Sequence, residues 1–189
     1  MENQLTAEER QVLLKLARQA MEAGVRGQPA PVVDLTALTD RLRQEGASFV
    51  TLTRRGELRG CIGTLEAYQS LAEDVCEHAM AAALHDYRFP PAQPNELSEI
   101  EIEISCLTPP KDLEYANPAD LTRVLRPNID GVTLFDGWRK ATFLPQVWEK
   151  LPEPEAFLDH LCYKMGAEPE LWRRRKLRVQ TYQVEEFSE

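Results

Sequence analysis

The chain has 189 residues, which suits one domain, or one domain of two intimately packed halves, and buries roughly 70% of its unfolded surface without a disulfide or metal staple. Its composition is ordinary for a globular protein, with 43% hydrophobic and 28% charged residues, and a net charge of -9 disfavours a general nucleic-acid or anionic-membrane surface. No apolar run approaches the roughly 20 residues of a membrane span, no basic-then-apolar leader opens "MENQLT", and the widely spaced Cys61, Cys76, Cys106 and Cys162 suit reduced thiols, so a soluble, cytoplasmic protein is expected.

Residues 1–5 are expected to be flexible. Thr6 and Glu9 then form a capping-box signature, and Val12, Leu13, Leu16, Ala17 and Ala20 recur at helical spacing up to a stop at Gly24. "RGQPAP" is a loop, and "LTALTDRL" (Leu35 to Leu42) suits a short helix. From Ser48 the period changes to two. "FVTLT" and "LRGCIGTL" are strand-like runs on either side of "RRGE", which predicts a β-hairpin. Ser70 and Glu73 form a second capping box opening an alanine-rich helix through Leu84, which the prolines of "HDYRFPP" end.

"IEIEIS", Ile100 to Ser105, alternates strictly and predicts a strand with its isoleucines inward. "VTLF" and "KATFL" make a second hairpin around "DGWR", and Pro145 suits the first turn of a helix carrying Val147, Trp148 and Leu151. A helix over 154–165 stops at Gly166, and "LRVQTY" is a final strand. Both hairpins begin Val-Thr-Leu and lead into a helix. That shared plan favours an α+β fold of duplicated hairpin-helix units on mostly antiparallel strands.

"LRGCIG", Leu58 to Gly63, is the stretch most suggestive of chemistry, because two glycines inside a strand need a reason. Simple alternation places Arg59, Cys61 and Gly63 on one face and Leu58, Gly60 and Ile62 on the packed face. Gly63 would then leave room beside the thiol. A guanidinium about 7 Å away would favour the thiolate by roughly 2 kcal/mol at an effective dielectric near 20. A carboxylate partner would cancel most of that, and Glu101 and Glu103 share one face of a neighbouring run. The bland alternative is a packed thiol, since free cysteine is among the most buried residue types.

Other candidates are thinner. His78 and His85 stand two turns apart on one helix, too far to share a metal ion, and no cluster has zinc-type spacing. A Cys61–His78 dyad would need a tertiary contact. "RRRK", Arg173 to Lys176, suits a solvated face better than a phosphate site in an acidic chain. Neither G-x-G-x-x-G nor a Walker loop occurs, so no cofactor is expected.

"LRGCIG" resembles the six-residue signature of the AMMECR-type domain, whose bacterial and archaeal members are called AmmeMemoRadiSam system protein A. "DYRFPP" resembles that family's Asp-Pro-Arg-Phe-Pro-Pro segment, with Tyr87 in the proline place. Ile100 to Pro109 resembles its isoleucine/glutamate strand, and "ATFLPQVWE" (Ala141 to Glu149) its Thr-Phe-Leu-Pro-Gln-Val-Trp-Glu stretch. The likeness runs in order over 6–187. It implies one domain with a barrel-like antiparallel sheet, a cleft bordered by the signature, and company with a Memo-type protein and a radical S-adenosylmethionine (SAM) enzyme. It supplies no established reaction.

Two functions from different classes follow. One is a ligand- or partner-binding component of that three-part system, using Arg59, Gly60, Gly63, Glu101, Glu103 and the segment around Thr142. The other is an enzyme with Cys61 as nucleophile or redox thiol assisted by Arg59. Because no general base is placed locally beside the thiol, binding is the preferred expectation.

Overall fold

The computed structural model describes residues 4–189, which divide into two units: the chain up to Thr108 together with Glu185–Glu189, and Pro109–Val184. In chain order the elements are α1 (Ala7–Val25), α2 (Asp40–Arg43), β1 (Glu45–Arg54), β2 (Glu57–Gly63), β3 (Gln69–Ser70), α3 (Leu71–Leu84) and β4 (Ile100–Leu107). There follow β5 (Lys111–Asp112), α4 (Leu121–Val124), β6 (Gly131–Asp136), β7 (Arg139–Phe143), α5 (Pro154–Lys164), α6 (Leu171–Arg174), β8 (Arg178–Tyr182) and β9 (Val184–Ser188).

In the first unit, strand order is β2-β1-β4-β9, with the short β3 beside the start of β1. Val50 and Leu52 of β1 and Ile100, Ile102 and Ile104 of β4 bury one face of this sheet beneath α1 and α3. Burying each such side chain is worth ~1.5–3 kcal/mol. The first capping box forms, Glu9 N donating to Thr6 Oγ1 at 3.2 Å and Thr6 N to Glu9 Oε2 at 2.8 Å. At α3 Ser70 Oγ accepts from Glu73 N at 3.3 Å, while the Glu73 carboxylate takes the Ser70 hydroxyl at 2.6 Å instead of the Ser70 amide. Of the expected flexible N-terminus, residues 1–3 lie outside the described residues. Leu5 is buried and its amide donates to Glu185 Oε2 at 3.0 Å.

The second unit has strand order β5-β8-β6-β7 and its own core of Val132, Leu134, Val179, Phe157, Leu158 and Leu161. Trp148 is fully buried there, stacked on Phe157 with centroids 3.7 Å apart and donating from Nε1 to Asp130 O at 2.8 Å. The fold is thus α+β and antiparallel, with the duplicated plan visible: β1–β2 leads to α3, and β6–β7 leads to α5.

Several local expectations are corrected. The sheets are open and not barrel-like, and the two hairpins lie in different sheets, because each hairpin pairs with strands around its own core. Gly24 does not stop α1; it lets the helix pass close to α3, where an added Cβ would come within 2.5 Å of Met80 Cγ. Gly27, at φ 67°, takes the left-handed conformation just beyond the helix. The 35–42 stretch breaks into a 3₁₀ turn at Leu35–Ala37 and the one-turn α2, with Leu38 extended between them. Pro145–Glu149 is 3₁₀, not α-helical.

Candidate functional site

The "LRGCIG" stretch is β2, an edge strand whose pairing with β1 contains one irregularity. Thr51 faces Cys61 and Leu52 faces Gly60, but Thr53 faces Leu58, so Arg59 is the extra residue of a β-bulge. The bulge overturns the simple alternation. Leu58, expected in the core, moves to the face of Thr53 and is 44% exposed. Gly60 does lie against the helix: a Cβ there would meet Ala82 O of α3 at 2.1 Å, so only glycine allows this approach.

Arg59 is drawn to a different acid from those expected. Its Nε donates to Glu96 Oε1 at 3.0 Å and its Nη2 to Glu96 Oε2 at 3.1 Å, both side chains being about nine-tenths buried. Glu96 also accepts from Arg54 Nη1 at 3.1 Å and from Gln93 N at 2.7 Å. These bonds, that to Arg59 foremost, hold the Glu96 carboxyl down at about 2. Glu101 and Glu103 stay exposed opposite Thr53 and Thr51, because β4 turns its isoleucines to the core. Arg59 Nη1 is buried without a hydrogen-bond partner among the described residues.

Cys61 is half-buried, and Thr51 Oγ1 donates to its Sγ at 3.3 Å. Thr51 also faces Glu103, so Cys61, Thr51 and Glu103 form a row across three strands. The room expected beside the thiol at Gly63 is taken by the Phe49 ring, which a Cβ on Gly63 would meet at 2.4 Å.

The exposed backbone edge at Cys61 is capped by the segment after α3. Asp86 Oδ2 accepts from Cys61 N at 2.9 Å, and Arg88 Nη2 donates to Cys61 O at 3.3 Å. The two side chains clamp each other, with Arg88 Nη2 2.6 Å from Asp86 Oδ2 and Nε 2.9 Å from Oδ1. Arg88 foremost, with the Cys61 and Arg88 amides, holds the buried Asp86 carboxyl well below the usual range. The cation that contacts Cys61 is therefore Arg88, through the backbone carbonyl, and not Arg59. The only signal for it was the Asp-Tyr-Arg spacing, which allows an acid and a base two residues apart to grip one peptide.

The remaining candidates go elsewhere. His78 Nδ1 lies 3.2 Å from Asp74 Oδ2, which also accepts from Ser48 Oγ at 2.6 Å; this cluster is buried in the core and makes no dyad with Cys61. Thr142 belongs to the second unit, where its hydroxyl meets Thr133 Oγ1 at 3.0 Å and Tyr182 OH at 2.9 Å. Among the described residues no three His, Cys, Asp or Glu side chains group to hold a metal ion. No helix there is long and apolar enough to cross a membrane.

The sequence model of the AMMECR1 family matches residues 14–187. A protein of Methanothermobacter thermautotrophicus is 39% identical over 186 residues, covering 98% of this chain and 96% of its own. A protein of Methanopyrus kandleri is 36% identical, covering 100% of this chain and 92% of its own. Among solved structures, an uncharacterized protein from Pyrococcus horikoshii superposes with a TM-score of 0.73 at 31% identity, over 94% of this chain and 89% of that one.

Proposed function

This chain belongs to the AMMECR1 family, and on that premise we propose that it is a cytoplasmic binding component of a three-part system with a Memo-type protein and a radical SAM enzyme. The recognition surface in this proposal is the outer row of the first sheet: Leu58, Thr51 and Cys61, with Glu101 and Glu103 beside them. One observation carries the reading. The acids that grip the motif are already committed, Glu96 to Arg59 and Asp86 to Arg88, so neither of them stands ready to take a proton from Cys61. Asp86 is a poor base, since its own carboxylate is strongly stabilised. Such locked pairs make a rigid platform, and rigidity serves recognition by lowering the ordering cost of association. An exposed leucine beside two exposed carboxylates suits a partner segment that is apolar and basic.

Co-purification of the full chain with the Memo-type and radical SAM proteins tests this. Leu58→Asp and Glu103→Lys are expected to lose capture while Cys61→Ser keeps it. Undiminished capture by both surface variants would overturn the reading.

A second reading has its own observation. Thr51 donates to the half-buried sulfur, which is the nucleophilic atom a thiol enzyme would use. Pulse alkylation across pH separates the two, because an enzyme thiol would react faster than free cysteine between pH 6 and 7, roughly two units under the ordinary thiol value.

A further inference from the structure

The acidic character of the chain is not spread evenly. Within Pro109–Val184, twelve Lys and Arg residues meet eleven Asp and Glu, so the negative excess resides in the first unit and leaves the second free to hold an anion. The second unit contains an open cavity of about 350 Å³ lined by Phe135, Asp136 and Gly137 on one side and by Arg175, Lys176, Leu177 and Arg178 on the other.

The cavity walls are fixed. Tyr115 clamps the Leu177 peptide from both ends, its hydroxyl accepting from Leu177 N at 2.9 Å and donating to Leu177 O at 2.6 Å. Asp136, nine-tenths buried at its side chain, is gripped by both Arg139 and Arg175. That acid positions two guanidinium groups without neutralising both. Arg178 lies 4.9 Å over the Phe135 ring and pairs with Asp112, while Lys176 rests 5.1 Å over the Tyr115 ring with no carboxylate partner among the described residues. The cavity lining therefore sets three cations against one carboxylate.

A surplus of two positive charges matches the charge of a phosphate monoester, about −1.5 to −2 near neutral pH. The exposed Arg178–Asp112 pair is a weak competitor, since such pairs are worth ~0–1 kcal/mol. The hairpin turn that supplies Gly137 also carries Trp138, which is 92% exposed. A solvent-facing indole on a turn offers an aromatic face to whatever the phosphate carries. Arg173 and Arg174 remain the solvated face expected of "RRRK", paired with Asp159, Glu168 and Glu170. Arg175 and Lys176 do not.

We propose that this cavity of the second unit binds a small phosphate monoester, its phosphate held by Arg175, Lys176 and Arg178 and its body lying towards the Trp138 turn. The cavity shares no residue with the Cys61 row, and its test does not depend on the fate of that reading.

Calorimetric titration of the full chain at constant ionic strength, with inorganic phosphate, adenosine 5′-monophosphate and adenosine, decides the matter. The monophosphate is expected to bind, inorganic phosphate to bind more weakly, and adenosine not to bind. Lys176→Glu and Arg175→Gln should each weaken the monophosphate by about tenfold or more, the worth of a lost charged hydrogen bond, whereas Arg123→Glu should not. Trp148 and Trp172 are buried, so acrylamide quenching reports on Trp138, and the monophosphate should reduce it. Absence of binding, binding of adenosine as tight as that of the monophosphate, or indifference to both cavity variants would overturn the proposal. So would inorganic phosphate binding without the monophosphate.

Discussion

Thr51 Oγ1 donates a hydrogen bond to Cys61 Sγ at 3.3 Å across the first hairpin. The second hairpin repeats the arrangement with Thr133 opposite Thr142, their hydroxyls 3.0 Å apart. The same Val-Thr-Leu run thus presents a threonine to its partner strand twice, but only once to sulfur. If that bond supports a thiolate, Thr51→Val should slow alkylation of Cys61 several-fold near neutral pH, and Thr133→Val should leave it unchanged. Equal rates in wild type and Thr51→Val would show the hydroxyl to be irrelevant to the thiol.

Gly60→Val should destabilise the protein strongly. Its Cβ would come within 2.1 Å of a helix carbonyl, which cannot yield without moving α3, and overpacking of this kind costs ~1–3 kcal/mol or more. Thermal unfolding followed by circular dichroism would measure it, and a melting curve like that of wild type would show that the approach of α3 is not tight.

Arg59→Ala should cost ~1.5–3 kcal/mol, because Glu96 loses its two-pronged charged partner and keeps only Arg54 and the Gln93 amide. The double variant Arg59→Ala/Glu96→Gln should lose less than the two single losses summed, since the bonds between the two side chains can be lost only once. Denaturant titrations of the four proteins complete the cycle. Additive losses would mean that the two side chains do not interact.

Acid should unfold the first unit through the same pair. The Glu96 carboxyl titrates near 2 in the folded state, below its ordinary 4.5, so its stabilisation is present above the unfolded value. It is lost as pH falls through that window. Glu96→Gln should begin less stable at pH 7 and lose less on acidification, which parallel urea titrations at pH 7 and pH 3 would reveal.

Asp86→Asn should loosen the edge of β2. The amide retains one acceptor for Cys61 N but gives up the charged clamp on Arg88, a bond class worth ~1.5–3 kcal/mol. Hydrogen exchange at the Cys61 amide is the local readout and should quicken. Unchanged protection there would mean that the cap is ornamental.

What could be read from the residues alone were the features that close within a few positions. Thr6 with Glu9 and Ser70 with Glu73 cap helices three residues on, and the alternation of Ile100, Ile102 and Ile104 reports a half-buried strand whatever its neighbours are. The hairpin turns were equally legible, since Arg55 and Gly56 need only each other and the flanking strands to turn the chain. The candidate site was half legible. The motif identified the strand, and Gly60 lies on the packed face as alternation required. What happens at Arg59 depends on the bulge, and a bulge exists only relative to the strand opposite. Its acid, Glu96, stands 37 residues away on a 3₁₀ turn that the periodicity did not mark. The Asp86–Arg88 cap on Cys61, 25 residues off, likewise depends on where α3 ends relative to the sheet. Short-range hydrogen bonds and side-chain period are properties of the local chain. The partner of a buried charge is chosen by where distant segments come to rest, and only the folded structure decides that.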